Sequence, residues 1–426
     1  MVINEQFLYF IWQFRLYDPK SLICEGGEAL EIIHPGILNS HAGPDFSKAS
    51  IRISGTHWVG NVEIHISSSD WYLHRHEQDE SYESVILHVV YELGQPVSRG
   101  DGSTIPVLEL KGRLSPVLLG RYETLLRDKS RLPCAGQIRL LDRIVIESTL
   151  SRMIAERFEH KSAEVLDRLR QLKGNWDETF YFFMAKSFGF HVNVVPFEML
   201  AISLSSRVFA KHKNRPFQIE ALIFGQAGFL KADFTESYPM SLYLEYTFLR
   251  KKYRLQPIAV SNWKFLRMRP QNFPTIRLAQ FSAFVARSNH LFSKIFEMKN
   301  VQDVVSLFED LPVNPYWRQH YHFNKPTKHV NLLLGRASIQ NIIINTVCQL
   351  LFSYGKFNQD LELVDRAFQF LAALPAERNA VVDEYVSSGV RPDNAMMSQA
   401  ILQLNKYYCS QKKCLNCGIG IKILNR

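Results

Sequence analysis

The sequence predicts an α+β protein: an N-terminal mixed β-sheet domain with flanking helices, followed by a larger, mostly α-helical domain. Three observations carry that expectation. Residues 29–110 break into short segments rich in Val, Ile and Leu, separated by clusters of Gly, Pro, Asn, Asp and Ser. From about residue 114 the apolar spacing lengthens to that of amphipathic helices. Charge divides near the same place. Residues 1–120 hold 8 Lys and Arg against 15 Asp and Glu, and the remainder holds 42 against 26. A chain of net charge +9 is therefore −7 at its front and +16 behind.

Taken in order, residues 4–16 (NEQFLYFIWQFRL) form a first, largely buried helix, because aromatics recur at near-helical spacing. Strands follow at 29–33, 49–53, 58–66, 84–91 and 104–110. Segment 49–66 reads as a hairpin turning at Ser54-Gly55. Alternation along 58–66 places Asn61, Glu63 and His65 on one face and Val62, Ile64 and Ile66 on the other. Helices are expected at 115–129, 140–172, 176–188, 196–211, 216–228, 239–252, 275–297, 300–309, 337–354, 359–373 and 394–407. Breakers such as Lys173-Gly174-Asn175 and Pro312 to Pro315 punctuate them. The domains expected are 1–114, acidic, His-rich and catalytic; 115–405, basic and helical; and 406–426, a Cys-rich basic tail.

With 46% hydrophobic and 21% charged residues, the composition is globular. No apolar run reaches the roughly eighteen residues of a membrane span. The start carries Glu5 and lacks a basic n-region and cleavage site, so it does not read as a signal peptide. Six cysteines, three of them crowded near the C-terminus, do not form a secreted disulfide framework, which makes the cytoplasm the expected location.

The stretches His41-Ala42-Gly43-Pro44-Asp45-Phe46, Trp58 to His65, Asp70-Trp71-Tyr72-Leu73-His74-Arg75-His76 and Val85 to Val90 together resemble an uncharacterised bacterial family, a domain of unknown function. The resemblance runs on through Arg267-Met268-Arg269-Pro270-Gln271-Asn272-Phe273-Pro274 to the terminal cysteines. It brings no activity, so the chemistry is argued from the residues.

Asp45 precedes one strand and Glu63-Ile64-His65 lies on the next. Two carboxylates joined by a hairpin suit a Mg²⁺ or Mn²⁺ ion that polarises a phosphate and lowers the pKa of an attacking water. The pattern is similar to the PD-(D/E)xK nuclease superfamily, with Pro44-Asp45 as its PD element and Glu63-Ile64-His65 as its (D/E)xK element. His65 replaces the lysine. The resemblance implies a metal-dependent phosphodiesterase acting on nucleic acid, with Asp45, Glu63 and His65 catalytic. Glu25, Glu28 or Glu31 is a further candidate ligand.

A second reading uses His65, His74, His76 and His88, with Asp70 and Asp79 nearby, as a Zn²⁺, Mn²⁺ or Fe²⁺ site of a small-molecule metalloenzyme. His74 and His76 face the same way if their segment is extended. A helix through Asp70–Arg75 capped by Ser69 would turn them about 200° apart. His88, amid Val85 to Val90, also suits a hydrogen-bonded core residue, and Trp58 and Trp71 are expected to be packing groups.

Cys409, Cys414 and Cys417 stand at C-x4-C-x2-C, suited to Zn²⁺ or an iron–sulfur cluster once a fourth ligand is supplied. Cys134 is the first choice and Cys24 the second, while Cys348 is a buried thiol. Some PD-(D/E)xK nucleases linked to helicases and adaptive immunity are similar in setting one cysteine far from three near the end. Basic residues also mix with aromatics at 248–254, 263–270 and 316–323, as a nucleic-acid surface requires. A non-catalytic nucleic-acid or protein-binding scaffold with a structural Cys site is therefore the alternative to an enzyme.

Overall fold

The computed structural model describes residues 3–39, 41–287 and 291–426, the side chains of 291 and 292 excepted. The chain is α+β and forms two compact units. The first holds residues 1–151, 379–391 and 401–426; the second holds 152–378 and 392–400. Residues 115–151 and the C-terminal return thus belong with the sheet, and the return comes from far along the sequence.

The first unit opens with α1 (Glu5–Gln13), started by Asn4, whose side chain accepts from Phe7 N–H. Phe7, Leu8, Phe10, Ile11 and Trp12 are buried, so α1 is a core element that packs on the sheet. Six strands follow: β1 (Leu30–His34), β2 (Ile37–Leu38), β3 (Phe46–Ile53), β4 (Thr56–Ser67), β5 (Val85–Glu92) and β6 (Val107–Glu109). Their order is β1-β3-β4-β5-β6, with β2 also paired to β3. β1 to β4 pair antiparallel, whereas β4, β5 and β6 run parallel. Strands sharing a parallel edge are buried on both faces. This explains why Val62, Glu63, Ile64 and His65 are all buried in β4, and Val85 and Leu87 to Val90 in β5.

The β3–β4 hairpin turns at Ser54 (φ 47°) and Gly55 (φ 86°), the left-handed pair that a two-residue hairpin needs. The parallel crossover from β4 to β5 carries one helical turn, α2 (Asp70–Leu73), and two 3₁₀ turns, His76–Gln78 and Glu80–Tyr82.

The second unit is helical. Trp176–Phe188, Pro216–Gln226, Ser237–Tyr253 and Leu361–Ala373 fall close to the expected spans. The helix expected at 275–297 is seen as Pro274–Arg287 and Leu291–Glu297, and residues 288–290 lie outside the described ones. The span 337–354 contains a π turn, Ile343–Val347. Among the described residues, no helix is long and apolar enough to cross a membrane.

Gly225 shows how closely these helices pack. A Cβ there would lie 2.1 Å from Cγ of Tyr246 on the neighbouring helix. Gly225→Ala is expected to cost about 1–3 kcal/mol by overpacking, read as a lower denaturant midpoint with an unchanged slope.

Candidate metal centre

Asp45 is delivered by a tight loop. Asn39 Nδ2 donates to the carbonyls of Ala42 and Pro44, Asn39 Oδ1 accepts from His41 N–H, and Gly43 takes φ 99°. The loop docks on β4 by a reciprocal pair of bonds. Asp45 N–H donates to Glu63 Oε2 at 3.0 Å, and Asp45 Oδ2 accepts from Ile64 N–H at 3.0 Å. The two carboxyl groups are therefore neighbours. Burial, and then the charge of Glu63, push Asp45 up to about 7, against hydrogen bonds from Tyr9 and Ile64.

Glu63 and His65 share the face of β4 that alternation predicts, and the parallel register sets His88 of β5 beside Glu63. His65 is held at both ring nitrogens. Its Nδ1 lies 2.8 Å from His88 Nε2 and its Nε2 3.1 Å from His74 Nδ1. Glu63 Oε1 stands 3.5 Å from His65 Nε2 and 3.4 Å from His76 Nε2. Ligating atoms of His65, His74 and His76 all lie within 4.8 Å of one another, the one such group of His, Cys, Asp or Glu among the described residues. Four ligands on bonds of 2.0–2.1 Å to a tetrahedral ion are separated by edges of about 3.3 Å. Three of the six separations, at 3.1, 3.4 and 3.5 Å, lie near that edge length, while Glu63 stands outside the group whose atoms are all within 4.8 Å of one another, being close to His65 and His76 only.

The crossover makes this convergence. A helix through Arg75 would have parted His74 from His76. Instead α2 stops at Leu73, and Arg75 takes a left-handed conformation (φ 60°) that reverses the chain and returns His76 toward His65. Tyr82 stacks on the His76 ring at 3.8 Å, and Trp71 meets that ring edge-on at 5.3 Å. Trp71 is fully buried, as a packing group should be, but Trp58 is 49% exposed. Ser69 makes no side-chain cap. Asp70 and Asp79 bond to the backbone N–H groups of Ser67 and Ser81, so both carboxylates serve turns.

Burial, then the neighbouring imidazoles, hold His65 far below its ordinary range; burial, then His76, takes His88 down to about 3. Both rings are neutral, the form that offers a lone pair. His88 is fully buried behind His65, with Nδ1 unpartnered. It is therefore placed to orient His65 rather than to join the ligating group. His74 is exposed, so the cluster opens to solvent.

Two site residues escaped sequence reasoning, both on α1. Tyr9 hydrogen-bonds Asp45. Glu5 lies close enough to feel His74, Asp70, Glu63 and His76, and its pKa is raised chiefly by burial. Glu31 pairs instead with Arg52, and Glu28 lies beside Cys24.

Cys134, Cys409, Cys414 and Cys417 lie in the same unit, near enough for Cys134 to feel the other three, but their sulfurs do not form a group within 4.8 Å of one another as the histidines do. Burial raises the thiol pKa values of Cys134, Cys409 and Cys414, and neighbouring sulfurs add to it. The return is tied down by Asn405 Nδ2, which donates to Arg131 O at 3.0 Å, and by Lys412 Nζ, which donates to Asp128 O. Tyr385 Oη meets Cys409 Sγ at 3.2 Å. Cys348 is a fully buried thiol, as expected.

The fold and the site together define an α+β protein with a cluster of three histidines, His65, His74 and His76, beside a buried Glu63. The chain belongs to the family described as protein of unknown function DUF2851, whose family model matches residues 5–380. That span takes in the histidine cluster and stops short of the three terminal cysteines. No curated protein and no solved structure matches the chain.

Proposed function

We propose that this chain is a metal-dependent hydrolase, with His65, His74, His76 and Glu63 holding one divalent ion. The observation that carries the reading is the convergence of three imidazoles, whose ligating atoms lie within 4.8 Å of one another, with Glu63 Oε1 at 3.4–3.5 Å from two of them. Three imidazoles and one carboxylate suit Zn²⁺, Mn²⁺ or Fe²⁺, whereas Asp45 and Glu63 alone lead to the expectation of Mg²⁺ or Mn²⁺. Such an ion lowers the pKa of a bound water and polarises the bond to be cleaved. Asp45, fixed by Tyr9 and Ile64 N–H beside Glu63, takes the proton released as water attacks. Exposure of His74 leaves an approach for substrate.

A phosphodiester of nucleic acid is the substrate bond we assign first, because the charge excess behind the N-terminal region suits a polyanion. In the same proposal, Cys134, Cys409, Cys414 and Cys417 hold a structural Zn²⁺ or an iron–sulfur cluster.

The test is incubation of single- and double-stranded DNA and RNA with full-length protein and Mn²⁺, Zn²⁺, Fe²⁺ or Mg²⁺. Glu63→Ala is expected to abolish turnover, and Asp45→Ala to lower it by about 10²–10⁴-fold. Cleavage by both variants at the wild-type rate rejects the assignment. Salt-dependent binding without cleavage supports the scaffold alternative.

A further inference from the structure

We propose that the second unit carries a binding cavity for a phosphate-bearing small molecule of mononucleotide size. The cavity, of about 390 Å³, lies where the loop at 188–193 meets the segment Arg267-Met268-Arg269 and the first turn of helix Pro274–Arg287. Volumes of 300–1,000 Å³ are those of small-molecule sites. Phe190, His191, Arg267, Arg269 and Arg277 are among its lining residues, and no Asp or Glu is.

Arg277 is the centre of the argument. Its side chain is only 6% exposed, and among the described residues no carboxylate pairs with it. Its hydrogen bonds go to neutral oxygens only: Gln280 Oε1 at 2.9 Å, Asn272 Oδ1 at 2.6 Å and Ser338 Oγ at 3.2 Å. Nε is buried with no partner. The guanidinium sits 4.2 Å from the centre of the Phe190 ring. Burial alone pulls its pKa down to about 10, which leaves it charged at neutral pH. A buried cation without a counter-charge is costly, and neutral hydrogen bonds orient it without neutralising it.

Its position sharpens the point. Arg277 lies in the first turn of a helix, where the dipole disfavours a cation and favours an anion. A second helix, Val194–Ser203, begins at Asn193, another lining residue that gives it no side-chain cap. The Asn193 side chain instead brackets Lys264, accepting from its N–H at 2.9 Å and donating to its carbonyl at 3.0 Å. That bracket fixes the two loops that form the walls. Phe190 (φ 49°) and Arg267 (φ 58°) are held in the left-handed region, a strain that clusters at ligand sites.

Three guanidiniums exceed what one carboxylate neutralises, whereas a phosphate dianion presents several oxygens to bidentate arginine donors. Phe190 and Val192, also among the lining residues, give the cavity apolar surface for a ring or sugar attached to the phosphate.

The experiment is calorimetric titration and thermal shift of the full chain with inorganic phosphate, adenosine 5′-monophosphate, adenosine, citrate and a short single-stranded oligonucleotide. The monophosphate is expected to bind and to raise the melting temperature, with adenosine at least about tenfold weaker. Arg277→Met and the double variant Arg267→Ala/Arg269→Ala should each weaken it at least about tenfold. Arg267 and Arg269 are exposed, so the double variant carries the test if Arg277→Met does not fold. Failure of phosphate and monophosphate to bind at millimolar concentration overturns the proposal. So does citrate binding as tightly as the monophosphate, binding of the oligonucleotide alone, or wild-type affinity in the folded variants.

Discussion

Full-length protein purified without chelators is expected to retain one equivalent of a divalent transition metal that His65→Ala does not. The loss follows from geometry. His65 Nε2 is the hub of the cluster, 3.1 Å from His74 Nδ1 and 3.5 Å from Glu63 Oε1. Without that imidazole the group loses one of its three nitrogen ligands and the ring that lies close to both His74 and Glu63. At a free-metal concentration about a hundredfold above Kd, retention stabilises the folded chain by about 2.7 kcal/mol. Chelation should therefore lower the wild-type melting temperature by more than that of His65→Ala, in which only the cysteine site is left to strip.

His88 gives a graded version of the same test. For His65 Nε2 to offer a lone pair, the His65 proton must sit on Nδ1 and be donated to His88 Nε2, 2.8 Å away. Partners of this kind, one step behind a ligand, are worth about 10–100-fold in metal affinity. His88→Ala is expected to weaken metal binding by that factor while keeping one equivalent at saturation. Equal affinity in wild type, His65→Ala and His88→Ala would show that the imidazoles are a hydrogen-bonded string and nothing more.

The local half of this arrangement was legible in the sequence. Strand alternation put Glu63 and His65 on one face, and Ser54-Gly55 fixed the hairpin, because both are nearest-neighbour effects of backbone geometry. What stayed hidden is non-local or rests on one dihedral angle. The reversal at Arg75 joins His74 to His76, but arginine rarely adopts a left-handed conformation and the sequence carries no Gly or Asn to flag it. The pairing of Glu63 with His88 depends on a parallel crossover register, which alternation within each strand does not specify. Glu5 and Tyr9 reach the site through the docking of α1, whose strongest signal in the sequence is its apolar character.

The second large effect is expected at Cys134, and it tests the proposed cysteine site separately from the proposed histidine site. Cys134 comes from a loop in the first third of the sequence, while Cys409, Cys414 and Cys417 come from the terminal segment, and burial raises the thiol pKa values of Cys134, Cys409 and Cys414, so that a metal held there would have to displace their protons. Closing so long a loop with a metal clip removes a large share of the unfolded chain's freedom. Structural zinc in small fingers contributes about 10–16 kcal/mol of apparent binding energy, all of it folding energy. Even a minor part of that makes Cys134→Ser strongly destabilising. Elemental analysis should show the variant one equivalent short, with the metal at His65, His74 and His76 still present, and thermal melting should show the C-terminal return released early. A brown colour lost in Cys134→Ser would identify an iron–sulfur cluster, and zinc lost without colour a tetrathiolate site. Cys348→Ser is the control for burying a hydroxyl in place of a thiol, since Cys348 is fully buried in a helix apart from the other sulfurs. If Cys134→Ser keeps its full metal content and melts with the wild type, the four thiols are packing groups, and the C-terminal return is held without a metal, by bonds such as those of Asn405, Lys412 and Tyr385 and by the burial of Ile419, Ile423 and Leu424.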